Sequence, residues 1–214
     1  MFTGIITEVG VIDNIKKSDG GAVLKIRASQ SAKELKIDDS VSINGACQTV
    51  VKKTNDSFEV VAVEETLKKT TLGSLTKGEK TNLELAMRLN DRLGGHLVLG
   101  HVDCVGKITK IKKLSSSWLV SVKVPSSFSK YIIPVGSIAI DGVSLTVAEQ
   151  QKDSVVVSII PHTFENTIFK NKSVNDSVNL EFDLIGKYVE RLIGYKNISD
   201  AHSFTEKKLR DLGY

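Results

Sequence analysis

Short apolar runs separated by turn residues organise the first half of the chain. Val23 to Ala28, Val41 to Ile43, Cys47 to Lys52, Phe58 to Val63 and Asn82 to Leu85 read as strands. Asp19-Gly20-Gly21, Asn44-Gly45 and Asn55-Asp56 supply the turns between them, and Asp141-Gly142 and Asn175-Asp176 do the same in the second half. Strands at this spacing within roughly 90 residues predict a small Greek-key barrel. Short helices are expected at Ser31 to Lys36 and, after Pro125, at Ser126 to Ile132. Beyond the last strands the period changes: Leu184, Tyr188, Val189, Leu192 and Ile193 fall at helical spacing, which predicts an amphipathic helix over residues 186 to 196. Its apolar stripe needs a cover, and self-association is favoured over folding back on its own chain. Ser203 with Glu206 forms a capping box for a further short helix.

The pattern occurs twice. Ser40 to Val50 (SVSINGACQTV) aligns without gaps on Ser137 to Val147 (SIAIDGVSLTV), an offset of 97 residues with five of eleven positions identical. The same register pairs Asn82-Leu83-Glu84 with Asn179-Leu180-Glu181, and Glu65-Thr66 with His162-Thr163. At offset 96, Gly4, Val9 and Gly10 match Gly100, Val105 and Gly106. Two homologous domains, 1–96 and 97–185, followed by a helix and tail, 186–214, are the economical division. Their joint lies in the polar stretch Arg88 to Gly95, whose Gly-Gly breaks regular structure.

Composition narrows the function classes. The 29 Lys and Arg against 25 Asp and Glu are interspersed, which argues against a nucleic-acid footprint. The cysteines, Cys47 and Cys104, suit neither a disulfide scaffold nor a zinc site. No run reaches the roughly 20 apolar residues of a membrane span, and the N-terminus has no signal-peptide character, so a soluble cytoplasmic protein is expected.

Met1-Phe2-Thr3-Gly4-Ile5, Asn44-Gly45 followed by Cys47 and Thr49-Val50, Gly94-Gly95-His96 with Gly100-His101, and Asp141 to Val147 together resemble the riboflavin synthase family, in order and over residues 1 to about 196. The fold expected is all-β: two tandem homologous six-stranded Greek-key barrels followed by a C-terminal α-helix. The resemblance implies a cofactor-free, metal-free enzyme that binds two molecules of 6,7-dimethyl-8-ribityllumazine and moves a four-carbon unit between them. It further implies a homotrimer joined through the C-terminal helix, with the active site between barrels of different subunits, and leaves open enclosure by a lumazine synthase shell. Departures from the family are Val135 where a lysine is frequent, Ala46 for a second cysteine and Gln48 for leucine.

Two identical substrates must take different roles, so the places where the halves disagree are where chemistry is sought. Cys47 faces Ser144, Ala86 faces Asp183 and Ile5 faces His101. Cys47, His101, Ser144 and Asp183 are therefore the catalytic candidates: His and Asp as proton carriers, Cys and Ser as hydrogen-bonding or nucleophilic groups. Each has a plainer reading. Cys47 suits a small buried hydrophobe, Ser144 suits turn chemistry, and His101 suits a structural histidine. Asp183 interrupts an apolar alternation in which an unpaired carboxylate is costly. His96 is read as structural. The binding positions implied by the resemblance are Gly4, Ile5 and Ile6 with Gly100, His101 and Val102; Cys47, Gln48 and Thr49 with Ser144, Leu145 and Thr146; and Val61, Ala62, Val63, Glu64, Glu65 and Thr66 with Ser158, Ile159, Ile160, Pro161, His162 and Thr163.

Three rivals are weaker. A non-catalytic lumazine- or flavin-binding antenna protein is expected to lose Gly100-His101, Ser144 to Thr146 and Asp183, all present here. A flavoprotein reductase barrel requires a following dinucleotide-binding domain. An oligonucleotide-binding barrel requires stacking aromatics, and only 6% of residues are aromatic.

Overall fold

The structure, a computed structural model, describes residues 1–201 and 210. Strands β1 (Glu8–Ser18), β2 (Gly21–Arg27), β3 (Ser40–Ile43), β4 (Ala46–Lys53), β5 (Ser57–Val63) and β6 (Lys80–Leu85) close into one barrel in the order β1-β2-β5-β4-β3-β6. Strands β7 (Cys104–Lys113), β8 (Trp118–Lys123), β9 (Ser137–Ile140), β10 (Val143–Gln151), β11 (Ser154–Ile159) and β12 (Ser177–Phe182) close a second with the equivalent order, each strand number raised by six. Closure leaves neither sheet an open edge. The ladder slips once at Ile12/Asn14 and again at Val50/Lys52; the second barrel repeats both slips at Ile108/Lys110 and Val147/Glu149. Such bulges bend strands sharply enough to close a small barrel.

The alternation pattern does not show β1. β1 and β7 carry a bulge where the in–out period would have to hold, and their far ends are lysine-rich. Two short helices were not anticipated either: α2 (Glu64–Lys69) and α3 (Pro161–Glu165) follow the exposed ends of β5 and β11. The first predicted helix, α1, covers Ser31–Glu34, and the segment Ser126–Tyr131 is a 3-10 helix. The C-terminal helix α4 runs Leu184–Ala201, longer at both ends than expected. No helix among the described residues is long and apolar enough to cross a membrane. The capping box at Ser203 and Glu206 lies outside the described residues.

Each barrel fills its own interior, the first around Leu24, Ile43, Phe58 and Val60, the second around Ile108, Val122, Ile140 and Phe182. The hairpins Asn44-Gly45 and Asp141-Gly142 have positive φ at both residues, 47° and 81° in one and 45° and 80° in the other, the type I′ geometry that matches strand twist. These two tips meet: a Cβ on Gly45 would lie 2.8 Å from the Gly142 amide nitrogen. Around them the side-chain amide of Asn82 donates to the Asp141 carbonyl at 2.9 Å, and that of Asn179 donates to the Asn44 carbonyl at 2.8 Å. The amides of Ile168 and Thr71 donate to the Asn82 and Asn179 side-chain oxygens at 2.8 and 2.7 Å. The Asn-Leu-Glu identity between the halves is thus the seam between the barrels, arranged about a pseudo-twofold axis.

The segments leading into β1 and β7 are exchanged across this seam. Phe2 and Val98 pair as an isolated antiparallel bridge, with amide-to-carbonyl distances of 2.7 and 3.1 Å, and both are buried. Ile6, ahead of the first barrel, packs against the core of the second, and Val102, ahead of the second, packs against the core of the first.

Candidate functional site

Alternation along β4 and β5 turns Cys47, Thr49, Val61 and Val63 outward, the last three exposed and Cys47 half-buried. The equivalent outward set on the second barrel is Ser144, Thr146, Ser158 and Ile160. Gln48, Ala62, Leu145 and Ile159, which the sequence reading grouped with them, have buried side chains facing the barrel interiors. A ligand on the outer face can meet only their backbone, because a strand offers alternate side chains to one side. Thr66 and Thr163 sit half-buried in α2 and α3 at the ends of these faces. Glu64 and Glu65 are exposed and paired with Lys68 and Lys69 at 2.9 Å each. Pro161 and His162 are exposed at the start of α3, which Phe164 anchors by stacking on Trp118 at 4.0 Å between ring centres.

Because the leading segments cross, each face is completed from the other end of the chain. The Cys47 amide donates to the Gly100 carbonyl at 2.8 Å, so Gly100, exposed His101 and half-buried Val102 border the first barrel's face. The Ser144 amide donates to the Gly4 carbonyl at 2.8 Å, placing Gly4, exposed Ile5 and half-buried Ile6 beside the second. Both glycines have positive φ, 77° and 79°, and a Cβ on either would press within 2.6 Å of the facing strand. The four catalytic candidates separate into two groups: Cys47 with His101, and Ser144 with Asp183, whose carboxylate acts on the histidine beside Ser144.

His96 joins the second group, which the sequence reading did not anticipate. Its Nδ1 lies 2.7 Å from the Ser144 hydroxyl, while its Nε2 is buried without a partner. Burial pushes the imidazole below its ordinary pKa, and the Asp183 carboxylate pulls the other way. A half-against-half comparison passes over His96, which lies between the repeats; Gly94-Gly95 just before it was the available signal. A Cβ on Gly95 would come 2.1 Å from the Thr3 carbonyl oxygen and 2.8 Å from the Ser144 Cβ, so the glycine lets the linker lie directly on Ser144.

Asp183 caps the C-terminal helix. Its Oδ1 accepts the Ile185 amide at 2.9 Å, an N-cap on α4. Of the two thiols, burial pushes that of Cys104 up to about 12, which disfavours its thiolate.

Glu84 and Glu181 were read only as repeat matches, yet they hold the crossing segments. Glu84 accepts the Thr3 amide at 2.6 Å, the Thr3 hydroxyl at 2.7 Å and the Gly4 amide at 3.0 Å. Glu181 accepts the Leu99 and Gly100 amides at 2.7 and 3.0 Å. Burial raises both carboxyl pKa values, and these amide donors oppose the rise. A groove of about 550 Å³ borders Ile5, Glu84, Ala86 and Arg88 beside the linker, away from the Cys47 face.

The lumazine binding domain family matches residues 3–86 and again 99–183, one copy for each barrel. The chain is a tandem lumazine-binding-domain protein. It belongs to the riboflavin synthase family: it is 44% identical over 197 residues to riboflavin synthase of Bacillus subtilis (strain 168), covering 92% of each chain. It is also 42% identical over 203 residues to that of Actinobacillus pleuropneumoniae, covering 95% of this chain and 94% of the relative. Among solved structures it shares its fold with LumP complexed with riboflavin, at a TM-score of 0.79 and 24% identity over 85% of this chain and 99% of that one. LumP complexed with 6,7-dimethyl-8-(1'-D-ribityl) lumazine superposes at a TM-score of 0.77.

Proposed function

We propose that each outer face holds one 6,7-dimethyl-8-ribityllumazine and that the chain acts as a riboflavin synthase. A four-carbon unit passes from one lumazine to the other, giving riboflavin and 5-amino-6-ribitylaminopyrimidinedione. The exchange is a dismutation, so atoms balance without an outside oxidant. The observation that carries this reading is the unlike equipment of two superimposable faces: Cys47 and His101 on one, Ser144, His96 and Asp183 on the other.

On the second face, burial disfavours the charged form of His96, and its Nδ1 lies within hydrogen-bond distance of the Ser144 hydroxyl. A neutral imidazole beside a hydroxyl can take up its proton as the oxygen adds to an electrophilic ring carbon. On the first face, exposed His101 is the group available to remove a proton from an activated ring methyl. Outward Val61, Val63 and Ile160 offer apolar surface for a flat ring, and Thr66 and Thr163 offer hydroxyls for a ribityl chain. The substrate-contact residues follow from these placements: the outward side chains, with backbone only at Gln48, Ala62, Leu145 and Ile159.

Purified chain with the lumazine, and no added metal or cofactor, is expected to form riboflavin, seen as an absorbance shift. Tight binding without turnover would support the antenna reading instead. Asp183→Asn, which retains an N-cap acceptor but removes the charge, is expected to slow turnover more than it weakens binding; unchanged turnover would remove Asp183 from the chemistry.

The homotrimer belongs to this proposal. Tyr188, Val189, Leu192 and Ile193 stand 48–65% exposed along one stripe of α4, as the sequence pattern anticipated, and a stripe of that kind calls for a neighbouring subunit. The proposed location, the cytoplasm, fits a biosynthetic enzyme with free thiols at Cys47 and Cys104.

A further inference from the structure

The seam places each glutamate between one barrel and the other barrel's face. Glu84 stands on β6 of the first barrel, binds the Thr3 and Gly4 amides, and Gly4 in turn accepts the Ser144 amide of the second. Glu181 stands on β12 of the second barrel, binds the Leu99 and Gly100 amides, and Gly100 accepts the Cys47 amide of the first. Both side chains are only 4% exposed. Leaving such a carboxylate buried is costly unless the turn it grips is formed.

We infer that Glu84 and Glu181 are crossed positioning residues: Glu84 sets the ligand affinity of the Ser144 face, and Glu181 that of the Cys47 face. The inference rests on the reading of these faces as the two lumazine sites.

Three features of the structure support it. First, each carboxylate grips two consecutive amides, so the turn is fixed in orientation as well as position. Second, the gripped glycines are in the left-handed region, where a short segment has no regular-structure bonds of its own to hold it. Third, the residues immediately beyond the grip, Ile5 and His101, are exposed at the border of the face. A loosened turn would misplace them while both barrels stay closed.

Replacing either glutamate by Gln keeps the shape but turns an amide donor toward a backbone donor, which opens one of the backbone bonds it makes. The effect should therefore fall on one face. The chain carries a reporter for one face: Cys47 is half-buried, and Cys104→Ala, introduced into every protein tested, removes the other half-buried thiol. Ser144→Cys in a Cys47→Ser background supplies the matching reporter for the other.

The experiment measures how much riboflavin is needed to protect each thiol from iodoacetamide in the full chain. In Glu181→Gln, protection of Cys47 should require at least tenfold more riboflavin, with protection at position 144 moved less than twofold. Glu84→Gln should show the reverse, and the urea midpoint should stay near that of the parent. Equal shifts at both thiols, no shift at either, or a shift on the glutamate's own barrel overturns the crossed assignment. Failure of riboflavin to protect either thiol in the parent proteins overturns the reading of the faces instead, so the two outcomes are distinct. If a Gln variant does not fold, hydrogen exchange on the unaltered protein decides: saturating riboflavin should slow the Gly4 and Gly100 amides, and unchanged rates overturn the inference.

Discussion

Gly95 shows how much a single residue can hide. In the sequence it is the second of a Gly-Gly pair and reads as a break between domains. In the fold it is the contact surface between the linker, Thr3 and Ser144. Gly95→Ala must displace backbone rather than a flexible side chain, and is expected to cost about 1–3 kcal/mol in urea unfolding with a larger loss of turnover. Gly94→Ala, whose Cβ would meet only Ile5 at 3.4 Å, should be nearly silent in both assays. His96 was passed over for a related reason: its meaning depends on the 2.7 Å approach of Ser144, 48 positions away. Burial lowers its pKa in the fold, whereas the unfolded chain takes up that proton near the ordinary 6.5. The unfolded state then binds more protons below about pH 6.5, so this part of the stability is present above that pH and is lost on acidification. Urea midpoints at pH 7.5 and 5.5 should differ less in His96→Gln than in the parent.

At the level of elements, hairpins and strand faces were the most legible parts. Asn44-Gly45 and Asp141-Gly142 state their turn type in two letters, and β2 to β6 follow their apolar runs. β1 and β7 are less legible because each is long, bends at a bulge and ends in a lysine-bearing stretch without apolar alternation. The inward side chains among the predicted contacts arose from carrying over whole segments where only alternate residues face out. One difference between the barrels was written in the sequence but not read. Asn44 and Leu75 of the first barrel correspond to Asp141 and Lys172 of the second, where Asp141 is fully buried and its Oδ2 lies 3.1 Å from the Lys172 ammonium. Lys172→Met would strand that carboxylate and should cost about 3–5 kcal/mol. Adding Asp141→Asn, which restores the first barrel's chemistry, should recover most of the loss, as read by thermal unfolding. On α4 the prediction concerns assembly. Leu192→Asp puts a charge on the exposed stripe and should shift sedimentation from the proposed trimer to monomer while leaving the circular dichroism of the barrels unchanged.

For the whole molecule, the sequence announced two like units and their order, and the fold agrees. It could not announce that the units trade their leading segments, since offsets within a repeat say which residues are equivalent but not which are neighbours. The hairpin tips, the paired asparagines and the Phe2–Val98 bridge join the barrels through buried bonds. Calorimetry should therefore show one unfolding transition, with calorimetric and van't Hoff enthalpies in agreement, and two resolved transitions would contradict a load-sharing seam.

The Phe2–Val98 exchange also has a consequence in time. As the chain is synthesised, the first barrel can close once β6 has emerged, but Cys47 then has no Gly100 carbonyl to meet, and Ile6 has no second core to enter. Domains emerging from the ribosome generally fold in order, N-terminal first. Here the first-made barrel waits for its successor, and the two proposed ligand faces are completed together, late in translation.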